Sequence, residues 1–183
     1  MTIYEFDVDP EKFATLELVD DDDHDLLIDG FNAQPMAADW RDPRVRITPV
    51  QAGREQLVGD FPDLAGAIVV LSGTAVHALG GLLEGHGELL RLESDDGEYW
   101  AYNVLTTVDL MAEDVSEAEY LAPGRMLLLR SLTPRRDVGP LPPIFKLPLW
   151  TKGSALVTDE LLDAVIANGL TGLDPRPLCD IES

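Results

Sequence analysis

The sequence predicts an α+β fold in a single domain, with a mainly antiparallel sheet and two principal helices. Three features carry that expectation. Two apolar runs, at Ala67 to Leu71 and Ala155 to Val157, each lead through a hydroxyl residue into a helical pattern. Between them, two strand-like stretches flank an Asp-Gly pair, a strong hairpin signal. The length, 183 residues, fits one core, and no Pro/Gly/Ser-rich linker divides it. Within residues 1–183 an acidic N-terminal stretch, residues 1–54, precedes a more regular core, residues 55–175.

In chain order, Ile3, Tyr4, Phe6 and Val8 read as a short strand that Pro10 ends, because proline has no amide to give to a ladder. A second short strand covers Ala14 to Val19. Asp20 to Asp23, His24 and Asp25 form a run of like charges that must stay solvated, and it reads as a loop. From Phe31 to Pro49, Pro, Asp, Arg and isolated apolar residues such as Trp40 follow no sustained period; only Val45 to Ile47 reads as a strand.

Ala67 to Leu71 is a compact apolar strand. Ser72 or Thr74 caps the next helix, whose Val76, Leu79, Leu82 and Leu83 share one face, and Gly85 with Gly87 closes it. Glu88 to Glu93 and Tyr99 to Thr106 then pair through the Asp96-Gly97 turn. Glu113 to Tyr120 reads as a short acidic helix and Met126 to Leu132 as a strand. Pro134, Pro140, Pro142 and Pro143 impose a non-helical loop before Ile144 to Leu149. Ala155 to Val157, the cap Thr158 and the periodic Leu161, Leu162, Val165 and Ile166 form the last unit, closed at Gly169.

Charge is the outlying property. Thirteen Lys and Arg oppose 34 Asp and Glu, giving a net charge of -21. Residues 1–30 hold eleven acidic groups against Lys12 alone, and residues 93–119 hold nine with no Lys or Arg. A field of that sign repels nucleic acid and steers basic partners. The carboxylates serve either a partner or solubility, including solubility at high salt. If they serve a partner, the contributors are Asp21, Asp22, Asp23, Asp95, Asp96 and Glu98, the densest stretches of the two uncompensated blocks.

A single cysteine, Cys179, excludes an intramolecular disulfide and points to a reducing compartment. The acidic start, Met1 to Asp9, lacks the basic and then apolar pattern of a secretory signal. No apolar run approaches the ~18 to 20 residues that span a bilayer. A cytoplasmic protein with no membrane contact is expected.

No catalytic, cofactor or metal site emerges. The aspartates at 20–25 lack the turn glycine and distal glutamate of a calcium loop, and one cysteine with three scattered histidines gives no zinc spacing. His77 falls within a helix, where a partly buried structural role is expected. Ser72 sits in Val-Leu-Ser-Gly-Thr, without the leading glycine of a nucleophile elbow, so helix capping explains it better. Cys179 has only Arg176 as a nearby base and reads as an inert thiol. A hydrolase would instead need a deep polar pocket around Ser72, Asp109 or His77.

Three motifs in order carry a resemblance. Asp60-Phe61 precedes Ala67 to Ser72 and a helix; Tyr99-Trp100-Ala101-Tyr102-Asn103-Val104-Leu105 leads to Val108-Asp109; Ile144-Phe145-Lys146-Leu147-Pro148 precedes Leu156 to Leu161 and Asn168-Gly169-Leu170-Thr171-Gly172-Leu173. Over residues 55–175 the chain resembles a bacterial immunity-protein family of polymorphic toxin systems, formerly a domain of unknown function. The resemblance implies a small cytoplasmic protein that binds and neutralises a cognate toxin, without catalysis or cofactor. It also implies structural roles for Asn103, bonding a neighbouring loop, and for Gly169 and Gly172, shaping the return after the last helix. A non-enzymatic adaptor is the main competing reading.

Overall fold

A strand's two faces point opposite ways, so a sheet buried on both sides must carry apolar residues at consecutive positions. Two sheets here do so. The computed structural model describes residues 1–48, 50–51, 53–122, 125–135 and 138–181. Its strands are β1 (Thr2–Glu5), β2 (Thr15–Leu18), β3 (Val45–Thr48), β4 (Val50–Gln51), β5 (Arg54–Glu55), β6 (Val69–Ser72), β7 (Gly87–Leu92), β8 (Tyr99–Val104), β9 (Glu117–Ala122), β10 (Arg125–Ser131), β11 (Ile144–Phe145), β12 (Leu156–Thr158) and β13 (Arg176–Asp180). The helices are α1 (His24–Gly30), α2 (Gly73–Leu83) and α3 (Asp159–Ala167). Every pairing between named strands is antiparallel.

One sheet runs β11-β12-β1-β13 and the other β6-β8-β7. Between them lies the central core. Val69, Leu71, Tyr102 and Val104 from one sheet meet Ile144 and Val157 from the other, with Ala75, Leu79 and Leu83 of α2 and Leu161 and Val165 of α3. The opposite face of β6-β8-β7 presents Val70, Leu90, Leu92, Tyr99 and Ala101 to Leu16, Leu27, Phe31, Met36 and Val45. The opposite face of the four-stranded sheet presents Ile3, Phe145 and Leu156 to Leu110, Met126, Leu129 and Trp150. Residues 1–54 therefore contribute to all three clusters, and β1 lies between β12 and β13 in the middle of its sheet.

The two strand-helix units form as expected, each a strand entering a helix, and their helices pack together in the central core. Ser72 Oγ accepts the Ala75 amide at 3.1 Å and caps α2. Thr158 occupies the equivalent N-cap position, but its side chain makes no cap bond. Asp159, in the first turn, instead accepts Thr2 N at 2.8 Å and Tyr4 Oη at 3.2 Å, fastening α3 to β1. Gly169 and Gly172, at φ 65° and 104°, turn the chain back after α3 in a region that strains residues with a Cβ. Asn103 does bond a neighbouring loop, donating to Gln34 O at 2.8 Å.

Four local expectations give way to longer-range forces. Residues 20–25 are not a loop: Asp21–Asp23 is a 3-10 turn leading into α1, because Leu27 is drawn into the second cluster with Phe31. Gly87 begins β7 rather than ending α2, and a Cβ there would strike the Asn103 carbonyl and the Tyr102 ring. The β7-β8 hairpin forms as expected but closes at Leu92↔Tyr99, so Glu93 leaves the strand and joins the loop, 93–98, that holds the Asp96-Gly97 pair. It also ends at Val104, since Leu105 N and Thr106 N both donate to the His86 carbonyl and turn the chain away.

The fourth concerns Glu113 to Tyr120. A helix there would stack Glu113 on Glu117 and Asp114 on Glu117, like charges at repulsive spacings. A turn forms at 113–115, and β9 pairs with β10. Among the described residues, no helix is long and apolar enough to cross a membrane.

Candidate functional site

The two acidic blocks are far apart in sequence and converge in space on one segment. Arg44 is the link. Its carbonyl accepts Val19 N at 2.9 Å, next to the first block, and its guanidinium pairs with Asp95 in the second. Arg41 meets Asp23 at 3.5 Å, and Asp96 Oδ2 accepts Ile47 N at 2.9 Å. The stretch 41–47 therefore lies between the blocks and supplies cations that neither block contains. The Arg44-Asp95 pair is solvent-exposed and the Arg41-Asp23 pair is exposed on its arginine side, so they hold the loops in place without adding much stability.

Of the six candidate carboxylates, Asp22, Asp95, Asp96 and Glu98 are exposed and Asp23 is half-buried. Asp21 belongs to the 3-10 turn. Glu98 stands apart from the edge centred on Arg44: its carbonyl accepts Gly73 N at 2.9 Å, and its side chain borders an open polar cavity of about 600 Å³. That cavity also touches Asp60, Ser72, Thr74, His77 and Tyr99. Burial, then the charges of Asp96 and Asp60, push the Tyr99 hydroxyl above its ordinary range.

Ser72 is committed within that cavity. Its hydroxyl donates to Asp60 Oδ1 at 2.8 Å while capping α2, and Asp60 Oδ2 accepts Thr171 N at 2.9 Å. The Ser72-Asp60-Thr171 chain ties α2 to the turn after α3. His77 is exposed rather than partly buried. Asp109 lies outside the cavity and pairs with Arg135 at 2.9 Å. Burial, then Asp180, pushes the half-buried Cys179 thiol up to about 11, which disfavours the nucleophilic thiolate. Among the described residues, no three His, Cys, Asp or Glu side chains gather in a metal-holding arrangement.

Lys146 is the other unusual ionisable group. It is 2% exposed, and its ammonium donates to Phe31 O at 3.1 Å and Thr151 O at 2.7 Å. Burial lowers its pKa to about 8. It ties the N-terminal third of the chain to the turn after β11.

A surface that sequence reasoning missed lies on the β9-β10 hairpin. Val115, Tyr120, Leu121 and Leu127 are four of the ten large apolar residues most exposed among those described, and they cluster in one hairpin and its approach. Glu113, Asp114, Glu117 and Glu119 accompany them. The signal was present, since these acids belong to the uncompensated block at 93–119, but assigning them to a helix hid the exposed strand. No family model matches the chain, and no curated protein matches it.

Proposed function

We propose that this protein is an immunity protein that binds a cognate bacterial toxin in the cytoplasm of the producing cell and blocks it. One observation carries the reading: carboxylates from two distant stretches of a chain of net charge -21 border a single segment, Arg41 to Ile47. Arg41, Arg44 and Arg46 offset part of that charge locally, and the chain's remaining excess of carboxylates accelerates encounter with a basic surface and repels nucleic acid, which favours a protein partner. The order of the three quoted motifs supports the same reading. Ser72 serves as a cap and a tether, which favours binding over catalysis.

The test is a titration. The product of an adjacent toxin-bearing reading frame is inhibited by increasing amounts of this protein, and inhibition saturates at a fixed stoichiometric ratio. Sub-stoichiometric inactivation of the toxin would identify an enzyme. No association at any ratio, together with capture of a metabolic enzyme in its place, would favour the adaptor. If the edge steers association, replacing Asp22, Asp23, Asp95 and Asp96 with Asn slows it at low salt and flattens its salt dependence.

A further inference from the structure

We propose that the partner docks on the free edge of β9, through an extended basic segment that adds to the hairpin as a strand and buries one bulky apolar side chain at the hairpin's turn end. This rests on the immunity reading only for the partner's identity. Among the described residues β9 pairs with β10 alone, and no backbone bond satisfies its outer edge. Such a row of unused amides and carbonyls is a template for another strand.

The side chains narrow the occupant. Tyr120 is 46% exposed, Leu121 59% and Leu127 51%, so the hairpin offers apolar surface that a partner would remove from water. At the hairpin's turn end a cavity of about 300 Å³ opens between Leu121, Met126 and Leu127 on one side and Trp150 and Lys152 to Ser154 on the other, with Glu5 beside them. A cavity of that size accepts one large aliphatic or aromatic side chain, the usual form of an interface anchor.

Charge decides between a foreign strand and a second copy of this chain. Residues 113–122 hold Glu113, Asp114, Glu117 and Glu119 without a Lys or Arg, and among the described residues only Glu119 of these pairs with a cation, Arg130 across the hairpin. Pairing β9 with β9 of another copy would set glutamates against glutamates between two bodies of charge -21. A segment alternating Lys or Arg with apolar residues meets no such repulsion.

The experiment uses the full chain, the double variant Leu121→Glu/Leu127→Glu and the control Ile166→Glu, a still more exposed apolar residue on α3. Two probes are titrated by calorimetry: the adjacent-frame toxin, and a synthetic peptide alternating Lys with Val around a central Phe. The expected result is binding of both probes to the parent and control, a loss of about 30-fold or more in the double variant, and slowed amide exchange across 117–121 in the complexes. Urea midpoints show whether all three proteins are equally folded. Equal binding of the probes to parent and double variant, or protection confined to residues 20–25 and 93–98, overturns the proposal. So does a parent dimer that the double variant disperses. If the toxin fails to bind the parent, the immunity reading falls, while the peptide still decides the edge: protection of 117–121 that the double variant loses supports it, and absence of binding overturns it.

Discussion

Two antiparallel hairpins of similar strand length have opposite fates in this molecule. In β7-β8 six consecutive pairs keep register, and β8 feeds Tyr102 and Val104 into one core and Tyr99 and Ala101 into another. In β9-β10 the register slips three times, only one face is buried, and the outer strand exposes almost every side chain. Strand length does not separate them. The difference is that β8 is enclosed by β6 on one edge and β7 on the other, whereas β9 has a single neighbour. Enclosure fixes register because a one-residue slip would invert two cores; an edge strand bears no such penalty and can be used for recognition.

The comparison would break if the two hairpins responded alike to equivalent changes. Tyr102→Ala should cost about 3–5 kcal/mol in urea unfolding, since it empties a buried ring site and orphans the Leu83 carbonyl that its hydroxyl bonds at 2.7 Å. Lys146 tests the joint between the hairpins, because its backbone pairs with the chain leaving β8, accepting Val108 N and donating to Thr106 O, both at 2.9 Å. Its folded pKa, about 8, lies below the unfolded value of 10.5, so the unfolded chain binds more protons between them and stability rises with pH across that window. From pH 7.5 to 9.5 the parent should gain about 2 kcal/mol relative to Lys146→Met, measured as paired urea curves at each pH.

Gly172→Ala should cost about 1–2 kcal/mol, because φ is 104° and the new Cβ would lie 3.4 Å from Phe61 N; a thermal midpoint lowered by several degrees would register it. At the exposed hairpin Tyr120→Ala should change stability by less than about 0.5 kcal/mol. A loss there as large as that at Tyr102 would show that β9 is structural and would remove the contrast.

What the sequence disclosed follows the range of the forces involved. The β6-α2 and β12-α3 units were legible because their apolar runs, the Ser72 cap and the closing glycines Gly85 and Gly169 lie within a few residues of the elements they bound. β9 was hidden because Glu113 to Tyr120 has helix-forming residues, and only pairing with Arg125–Ser131 makes it a strand. α1 was hidden because charge dominates its approach, while the burial of Leu27 that orders it depends on Val45 and Leu90, far along the chain. The candidate carboxylates were legible as a dense block but not as a paired one. Arg41 and Arg44 come from a segment with no periodicity, so their partners Asp23 and Asp95 looked uncompensated.

The place of β1 sets a timetable for the protein's birth. Its neighbours β12 and β13 are made long after it: Arg176, whose guanidinium pairs with Glu5, follows that residue by 171 positions. At about 5–20 residues per second the first strand waits roughly 10–35 s for its sheet. During that interval Ile3 lacks Phe145 and Leu156, with which it is buried, whereas Phe6 has Phe61 to pack against as soon as residue 61 is made. The sheet around β1 therefore closes only after residues 156–180 have been made, and a chain halted before Arg176 lacks one of the two strands that enclose it.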